Sequence, residues 1–214
     1  MNQSALPRSA ALFVIAYLAL LALSLPFGAG YAGSLLPVYG WEIAHLTQDY
    51  QIQGLVLGES RGEDVVAISL LTRYFVAGSQ VVHPGISISC STLQGHALQH
   101  PLLMLSLAVA WPASGLSQRI LRLFCALPFL LLVEMLDIPL VLLGSVQDLI
   151  MANIAPGTGS FVVDWMNFMN GGGRLAFSLA GGMAAIGCSH LLPGQDKPVE
   201  ARLRSMRKDI KTMP

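Results

Sequence analysis

The stretch Arg119–Ile150, RILRLFCALPFLLLVEMLDIPLVLLGSVQDLI, decides the fold that the sequence predicts. Between Leu123 and Val146 its only charged residues are Glu134 and Asp137, and about twenty apolar residues suffice for a helix to cross a bilayer. We therefore predict a transmembrane helix that carries two acids. Carboxylates at membrane depth are costly and usually face a partner or a cavity, and acids three residues apart share one helical face. The two acids should therefore lie on one helical face, toward a partner or a cavity.

The composition of the 214-residue chain is typical of a membrane protein. Hydrophobic residues make up 54% of the chain and charged residues 11%, whereas soluble domains carry about 25% charged residues. The formal net charge is zero, so we predict no nucleic-acid partner. Three cysteines, Cys90, Cys125 and Cys188, show no paired spacing, and we interpret the last two as apolar packing residues. We predict neither a cofactor nor a metal.

Four apolar segments predict four transmembrane helices. The first lies in residues 1–33, which hold the N-terminal tail and the first helix. A cleaved signal peptide is the alternative there, because small residues follow the apolar run. The other three form a core at 93–192, with a cytoplasmic loop at 114–122 and an external loop at 148–173. A polar, basic tail follows at 193–214.

Residues 34–92 contain no spanning segment and are predicted to form an external segment with a small β-hairpin or three-stranded element. Alternating polarity predicts its strands, which are Tyr50–Leu57, Val65–Val76 and Ile86–Ser89. A short interfacial helix is expected at Gly40–Asp49. The predicted fold class is thus an all-α integral membrane protein with four transmembrane helices and an external β element between spans one and two.

The distribution of basic residues predicts the topology. With four spans, nine of the 12 lysines and arginines fall on one side, and they are Arg8, Arg119, Arg122, Lys197, Arg202, Arg204, Arg207, Lys208 and Lys211. Basic residues are concentrated in cytoplasmic loops, so both termini are predicted to be cytoplasmic in a bacterial inner membrane. The basic tail would contact anionic lipids, and other inner-membrane or envelope proteins are the expected partners.

Arg174 is the expected partner of the two intramembrane acids. It opens the fourth predicted span at the level of Glu134 and Asp137, and its guanidinium offers a fork of donors. One interpretation is an ion pair or hydrogen-bond network that fixes helix packing. The alternative is a polar pocket for a substrate, or a proton site.

A thiol and two histidines lie near the outer start of the second predicted span. A helix N-terminus can activate a thiol, so Cys90 could be a nucleophile with His96 or His100 as its base. The two histidines are four residues apart and share a helical face, so with a carboxylate they could instead bind a metal. The simplest alternative is that they are interfacial histidines at a helix start.

The stretch from Cys90 to about Met183 resembles the core of exosortases and archaeosortases, membrane cysteine transpeptidases that process C-terminal sorting signals. Cys90-Ser91 stands where that family has Cys-Ser-Gly, and RILR matches its basic cytoplasmic loop. Glu134 and Asp137 keep the spacing of the family's Asn and catalytic Arg. Asn170 is the residue nearest to the position of the family's His.

The resemblance implies a degenerate relative or an accessory protein of such a system. Two of the three catalytic positions are replaced, one with reversed charge, and Thr92 stands where the family has glycine. The leading prediction is a non-catalytic inner-membrane accessory or scaffold protein of an exosortase-type protein-sorting or cell-envelope export system. A thiol peptidase or transpeptidase that uses Cys90 is the first alternative. A subunit of an ion- or proton-coupled transport complex that uses the two acids is the second.

Overall fold

The computed structural model describes residues 5–191 apart from Ser114, so the basic tail at 193–214 lies outside the described residues. The described chain is mostly helical, with a small sheet after the first helix. In chain order its elements are α1 (Ala5–Leu46), β1 (Tyr50–Ser60), β2 (Glu63–Thr72), β3 (Phe75–Ala77), β4 (Gln80–Val82), β5 (Ser87–Leu93), α2 (Gln94–Ala110), α3 (Leu116–Asn153), α4 (Phe161–Phe168), a π-helical turn (Met169–Gly173) and α5 (Arg174–Leu191).

Two described helices, rather than the four predicted, are long and apolar enough to cross a membrane. They are α1, over Pro7–Leu46, and α3, over Leu116–Asn153. Helix α2 has 17 residues and begins with the polar sequence QGHALQH, while α5 has 18 residues and begins with an arginine. Because α2 and α5 are shorter and begin with polar residues, they are not among the two helices that meet the length and hydropathy of a membrane span.

Helices α1 and α3 both exceed the thickness of a bilayer. With 42 and 38 residues they extend for roughly 63 and 57 Å, whereas the hydrocarbon core is about 30 Å thick. Their first halves expose apolar side chains such as Leu18 and Phe124. Their second halves pack against the sheet, and α3 continues to Asn153, into the segment that was predicted to be an external loop at 148–173. Each long helix thus has an apolar exposed half and a half that supports the sheet.

The predicted end of the first helix is wrong. The sequence predicts an end within residues 1–33 and a separate interfacial helix at Gly40–Asp49, but α1 continues through Pro26 and Pro37 to Leu46. A proline removes one backbone hydrogen bond and bends a helix without always ending it. Burial of the second half of α1 against the sheet outweighs that cost.

Three antiparallel strands form a sheet in the order β1, β2, β5, which confirms the predicted three-stranded element. Arg61 and Gly62 make the turn between β1 and β2 with φ of 56° and 81°. Strand β5 leads directly into α2, so Cys90 lies inside a strand, opposite Ile68. Strands β3 and β4 form a separate hairpin that the sequence did not predict, since each has three residues.

The main hydrophobic core lies where the sheet meets the second halves of α1 and α3. Its fully buried members include Tyr39, Ile43, Val66, Ile68, Leu70, Ile138, Leu142 and Val146. Two smaller apolar clusters lie within the helical bundle, around Met104 and around Cys125. A three-stranded sheet is marginal alone, so this packing on α1 and α3 stabilises it.

The small residues of α5 allow close helix packing, as their composition predicts. A Cβ atom on Gly181 would lie 2.8 Å from Cε of Met104, and one on Gly182 would lie 2.9 Å from Cδ2 of Leu107. Both neighbours belong to α2. Glycine at these two positions therefore lets α5 approach α2 within the bundle.

Arg122 binds the backbone just after the C-terminal end of α2. Its side chain is fully buried, and it donates to the carbonyl oxygens of Trp111 and Pro112, both at 2.8 Å. These carbonyls follow the last residue of α2, where the helix offers no further backbone donor, and Arg122 satisfies them instead. The sequence assigned Arg122 only to the basic loop, so its structural contact was missed.

Candidate functional site

A group of polar side chains, buried except for the half-buried Tyr31 and the exposed Asn170, lies at the junction between the apolar bundle and the core under the sheet. We call it the polar cluster, and its members are Tyr31, Tyr39, His100, Glu134, Asp137, Asn170, Arg174 and Ser178. Its position follows from α3, because Val133 belongs to a bundle cluster and Ile138 to the sheet core. The two acids between them are fully buried.

Asp137 is the centre of one half of the polar cluster. Its Oδ2 accepts a hydrogen bond from Nε of Arg174 at 2.7 Å and lies 2.9 Å from Nε2 of His100. Arg174 also donates from Nη1 to Oδ1 of Asn170 at 2.8 Å. The predicted meeting of Arg174 with one of the intramembrane acids is therefore confirmed for Asp137. A buried charge needs such a partner, since burying it alone is very costly.

Glu134 has different partners from Asp137. Tyr31 donates its hydroxyl hydrogen to Oε1 at 2.9 Å, and Tyr39 donates to Oε2 at 2.6 Å. Both tyrosines belong to α1, so the two acids face different neighbours although they are one turn apart. The sequence did not predict these partners, because it did not place the first helix beside Glu134.

His100 joins α2 to both α3 and α5. Its Nδ1 is 2.8 Å from Oγ of Ser178, and the Ser178 hydroxyl donates to the Arg174 carbonyl at 2.7 Å. Both ring nitrogens of His100 are therefore engaged, one by Ser178 and the other by Asp137.

Two buried atoms of the polar cluster have no hydrogen-bond partner among the described residues. They are Oδ1 of Asp137 and Nη2 of Arg174. The ion pair thus keeps one free acceptor and one free donor.

Ser178, His100 and Asp137 follow the order of a hydrolase triad, but all three are fully buried, and such a nucleophile would have no route to a substrate.

Cys90 lies apart from the polar cluster. It is half-buried in β5 and packs against the sheet core, and this burial raises the pKa of its thiol. Nδ1 of His96 is 2.9 Å from Oγ1 of Thr92, and within the described residues neither His96 nor His100 hydrogen-bonds the Cys90 sulfur. The geometry does not supply the activated thiol and base that a cysteine nucleophile needs.

The predicted histidine pair is not arranged as a metal site. Both nitrogens of His100 are engaged, and His96 contacts Thr92. Within residues 5–113 and 115–191, no group of three His, Cys, Asp or Glu side chains is placed to hold a metal ion.

Three members of the polar cluster were missed in the sequence. Ser178 follows Arg174 by four residues and shares its helical face, so this spacing was a usable signal. Tyr31 and Tyr39 lie on opposite sides of the predicted boundary at residue 33. They become neighbours of Glu134 only because α1 is continuous.

No protein-family model matches this chain, and no curated protein or solved structure is significantly similar to it. The resemblance to exosortases remains a prediction from the residues between 90 and 183. The function is therefore inferred from the polar cluster and from the placement of the helices.

Proposed function

We propose that this chain is a non-catalytic accessory or scaffold protein of a bacterial inner-membrane machinery. The observation that supports this role is the internal pairing of the polar cluster. Its side chains hydrogen-bond with one another and so connect α1, α2, α3 and α5. A catalytic site instead directs such groups at the reacting atoms of a substrate.

A thiol transpeptidase is disfavoured on chemical grounds. Acyl transfer needs a donor aimed at the developing oxyanion, and a carboxylate in that place would repel negative charge. Asp137 stands where the resembled family has its catalytic arginine, and Arg174 is engaged by Asp137 and Asn170. Burial raises the pKa of the Cys90 thiol, and among the described residues no histidine hydrogen-bonds its sulfur.

We further propose that α2 and α5 cross the membrane beside the first halves of α1 and α3. Their 17 and 18 residues correspond to roughly 25 and 27 Å, close to the hydrocarbon thickness of about 30 Å. Leu175, Leu179 and Met183 are exposed at successive turns of α5 and form a stripe suited to lipid. The sheet would then lie outside, with both termini in the cytoplasm.

Reporter fusions test this topology. A reporter active only outside the cytoplasm is expected to be active after Gly62 and after Thr158, and inactive after Gln118 and after Thr212. A reporter active only in the cytoplasm should give the reverse pattern at the same four positions, which controls for expression. An external C-terminus, or a cytoplasmic hairpin tip at Gly62, would contradict the four-span arrangement.

The system that this scaffold serves is proposed from the resemblance to exosortases, and its partners would be inner-membrane or envelope proteins. Deleting the gene in its host is expected to impair processing of proteins with C-terminal sorting signals. Cys90→Ala should restore processing nearly to the wild-type level, because the thiol takes no part. Arg174→Leu should not restore it, because it disrupts the polar cluster.

Immunoblots of a sorted substrate, with the amount of each variant measured in parallel, give the readout. Unimpaired processing in the deletion strain would contradict the sorting role. Loss of complementation by Cys90→Ala at a normal protein level would instead establish the thiol enzyme.

A transport subunit is the second candidate, and one observation favours it. Oδ1 of Asp137 is buried without a partner among the described residues, so this carboxylate oxygen offers a proton site beside a guanidinium that stays charged. Proton uptake into vesicles that depends on Asp137 and is abolished by Asp137→Asn in a variant that still folds would favour this function. Uptake equal to that of empty vesicles would exclude it for the isolated chain.

A further inference from the structure

Two of the three cysteines meet inside the helical bundle, far from each other in sequence. Cys125 on α3 is buried in an apolar cluster with Ala126 and Ala185, and Cys188 on α5 packs against the same cluster. The two thiols are close enough to interact, and both are free. The sequence showed no paired cysteine spacing, so only the packing of α3 on α5 creates this dithiol.

We propose that Cys125 and Cys188 form a redox-sensitive modification site that closes to an intramolecular disulfide. The small neighbours Ala126 and Ala185 let the two helices approach, which a disulfide requires because its Cα atoms must come within about 7 Å. Cys90 lies in a strand on the other side of the polar cluster and does not contribute. The site is independent of the proposed scaffold function.

Burial assigns different roles to the two thiols. Cys188 is half-buried and Cys125 is buried, so a small uncharged disulfide reaches Cys188 first. The Cys188 thiolate attacks one sulfur of the reagent, and the reagent's other half leaves as a thiol. Cys125, after losing its proton, then attacks the Cys188 sulfur of the mixed disulfide and releases the second half as a thiol. Two protein thiols are oxidised and one reagent disulfide is reduced to two thiols.

The disulfide would join the two helices that carry the central ion pair of the polar cluster. Cys125 lies roughly 18 Å along α3 from Asp137, so the bond would form outside the cluster. It would fix α3 to α5 at the end of the bundle where Arg122 closes α2. Oxidation should therefore stabilise the fold without removing a contact of the polar cluster.

Thiol counting in the full-length protein tests the proposal. The reduced protein in detergent is incubated with oxidised 2-mercaptoethanol, quenched with acid, denatured and labelled with a maleimide for mass spectrometry. Labelled thiols are expected to fall from three to one, with Cys90 the labelled residue. Digestion should yield a peptide pair joined through Cys125 and Cys188, and dithiothreitol should restore all three thiols.

Single variants separate the roles of the cysteines. Cys90→Ser should still lose two thiols, whereas Cys125→Ser should accumulate a mixed disulfide on Cys188. Oxidation should raise the melting temperature of the wild type but not of Cys188→Ser. Three thiols remaining in the folded wild type would overturn the proposal. So would a cross-link that includes Cys90 or joins two chains.

Discussion

Arg174→Leu is expected to lower the free energy of unfolding by about 3–5 kcal/mol, because it leaves the buried Asp137 carboxylate without its cation. Asp137 is fully buried and Arg174 is 5% exposed, so solvent screens this pair very little. The substitution also removes the contact between Arg174 and Asn170. Reversible unfolding in mixed micelles, followed by circular dichroism, measures the loss.

A second substitution, added to Arg174→Leu, identifies the acid with which Arg174 pairs. Asp137→Asn in the Arg174→Leu background should recover much of the lost stability, because the stranded charge is removed while the amide can still contact His100. Glu134→Gln in the same background should recover little, since the partners of Glu134 are Tyr31 and Tyr39. Equal recovery by both double variants would mean that Arg174 acts on both acids through space rather than through its contact with Asp137.

Replacing Tyr31 and Tyr39 together by phenylalanine is expected to cost roughly 3–6 kcal/mol, because each hydrogen bond to a charged group contributes about 1.5–3 kcal/mol. Tyr39 should account for the larger share. It is fully buried and its bond to Glu134 is 2.6 Å long, whereas Tyr31 is half-buried with a bond of 2.9 Å. Single and double variants in the same unfolding assay give both contributions.

Removal of the acid tests whether the tyrosines act through Glu134. In a Glu134→Leu background the tyrosine substitutions should cost much less, because no carboxylate remains to be stranded. Tyr17→Phe is the matched control on the same helix, since the Tyr17 hydroxyl has no hydrogen bond within the described residues and its ring stacks on Phe13. An undiminished cost of Tyr39→Phe without the acid would show that its hydroxyl serves another contact.

These contacts place the polar cluster between two differently packed parts of the molecule. On one side of the cluster, the first halves of α1 and α3 expose apolar side chains. On the other side, the second halves of the same two helices support the sheet. Buried polar side chains that hydrogen-bond across several helices favour one specific arrangement of those helices. A rigid junction of this kind suits a proposed scaffold that holds an external element at a defined position relative to the membrane.

The sequence by itself determined the long apolar helix around the two acids and several local elements. Its apolar composition and the run around Glu134 and Asp137 indicate a membrane-crossing helix, and the alternation after Tyr50 predicts the three-stranded sheet. The level of Arg174 also identified it as a partner for one of the two acids, and the structure shows that this acid is Asp137. These properties follow from residue type and from spacing within one element, which is why they are readable in a single sequence.

Only the tertiary structure decided the continuity of α1 and the partners that cross between helices. The two tyrosines on Glu134, Ser178 on His100 and the meeting of Cys125 with Cys188 all join residues far apart in the chain. Such contacts depend on which helices are neighbours and on how each helix is rotated and shifted along its axis. Local hydrophobic patterns do not specify that register, whereas the packing of α1 and α3 against the sheet does.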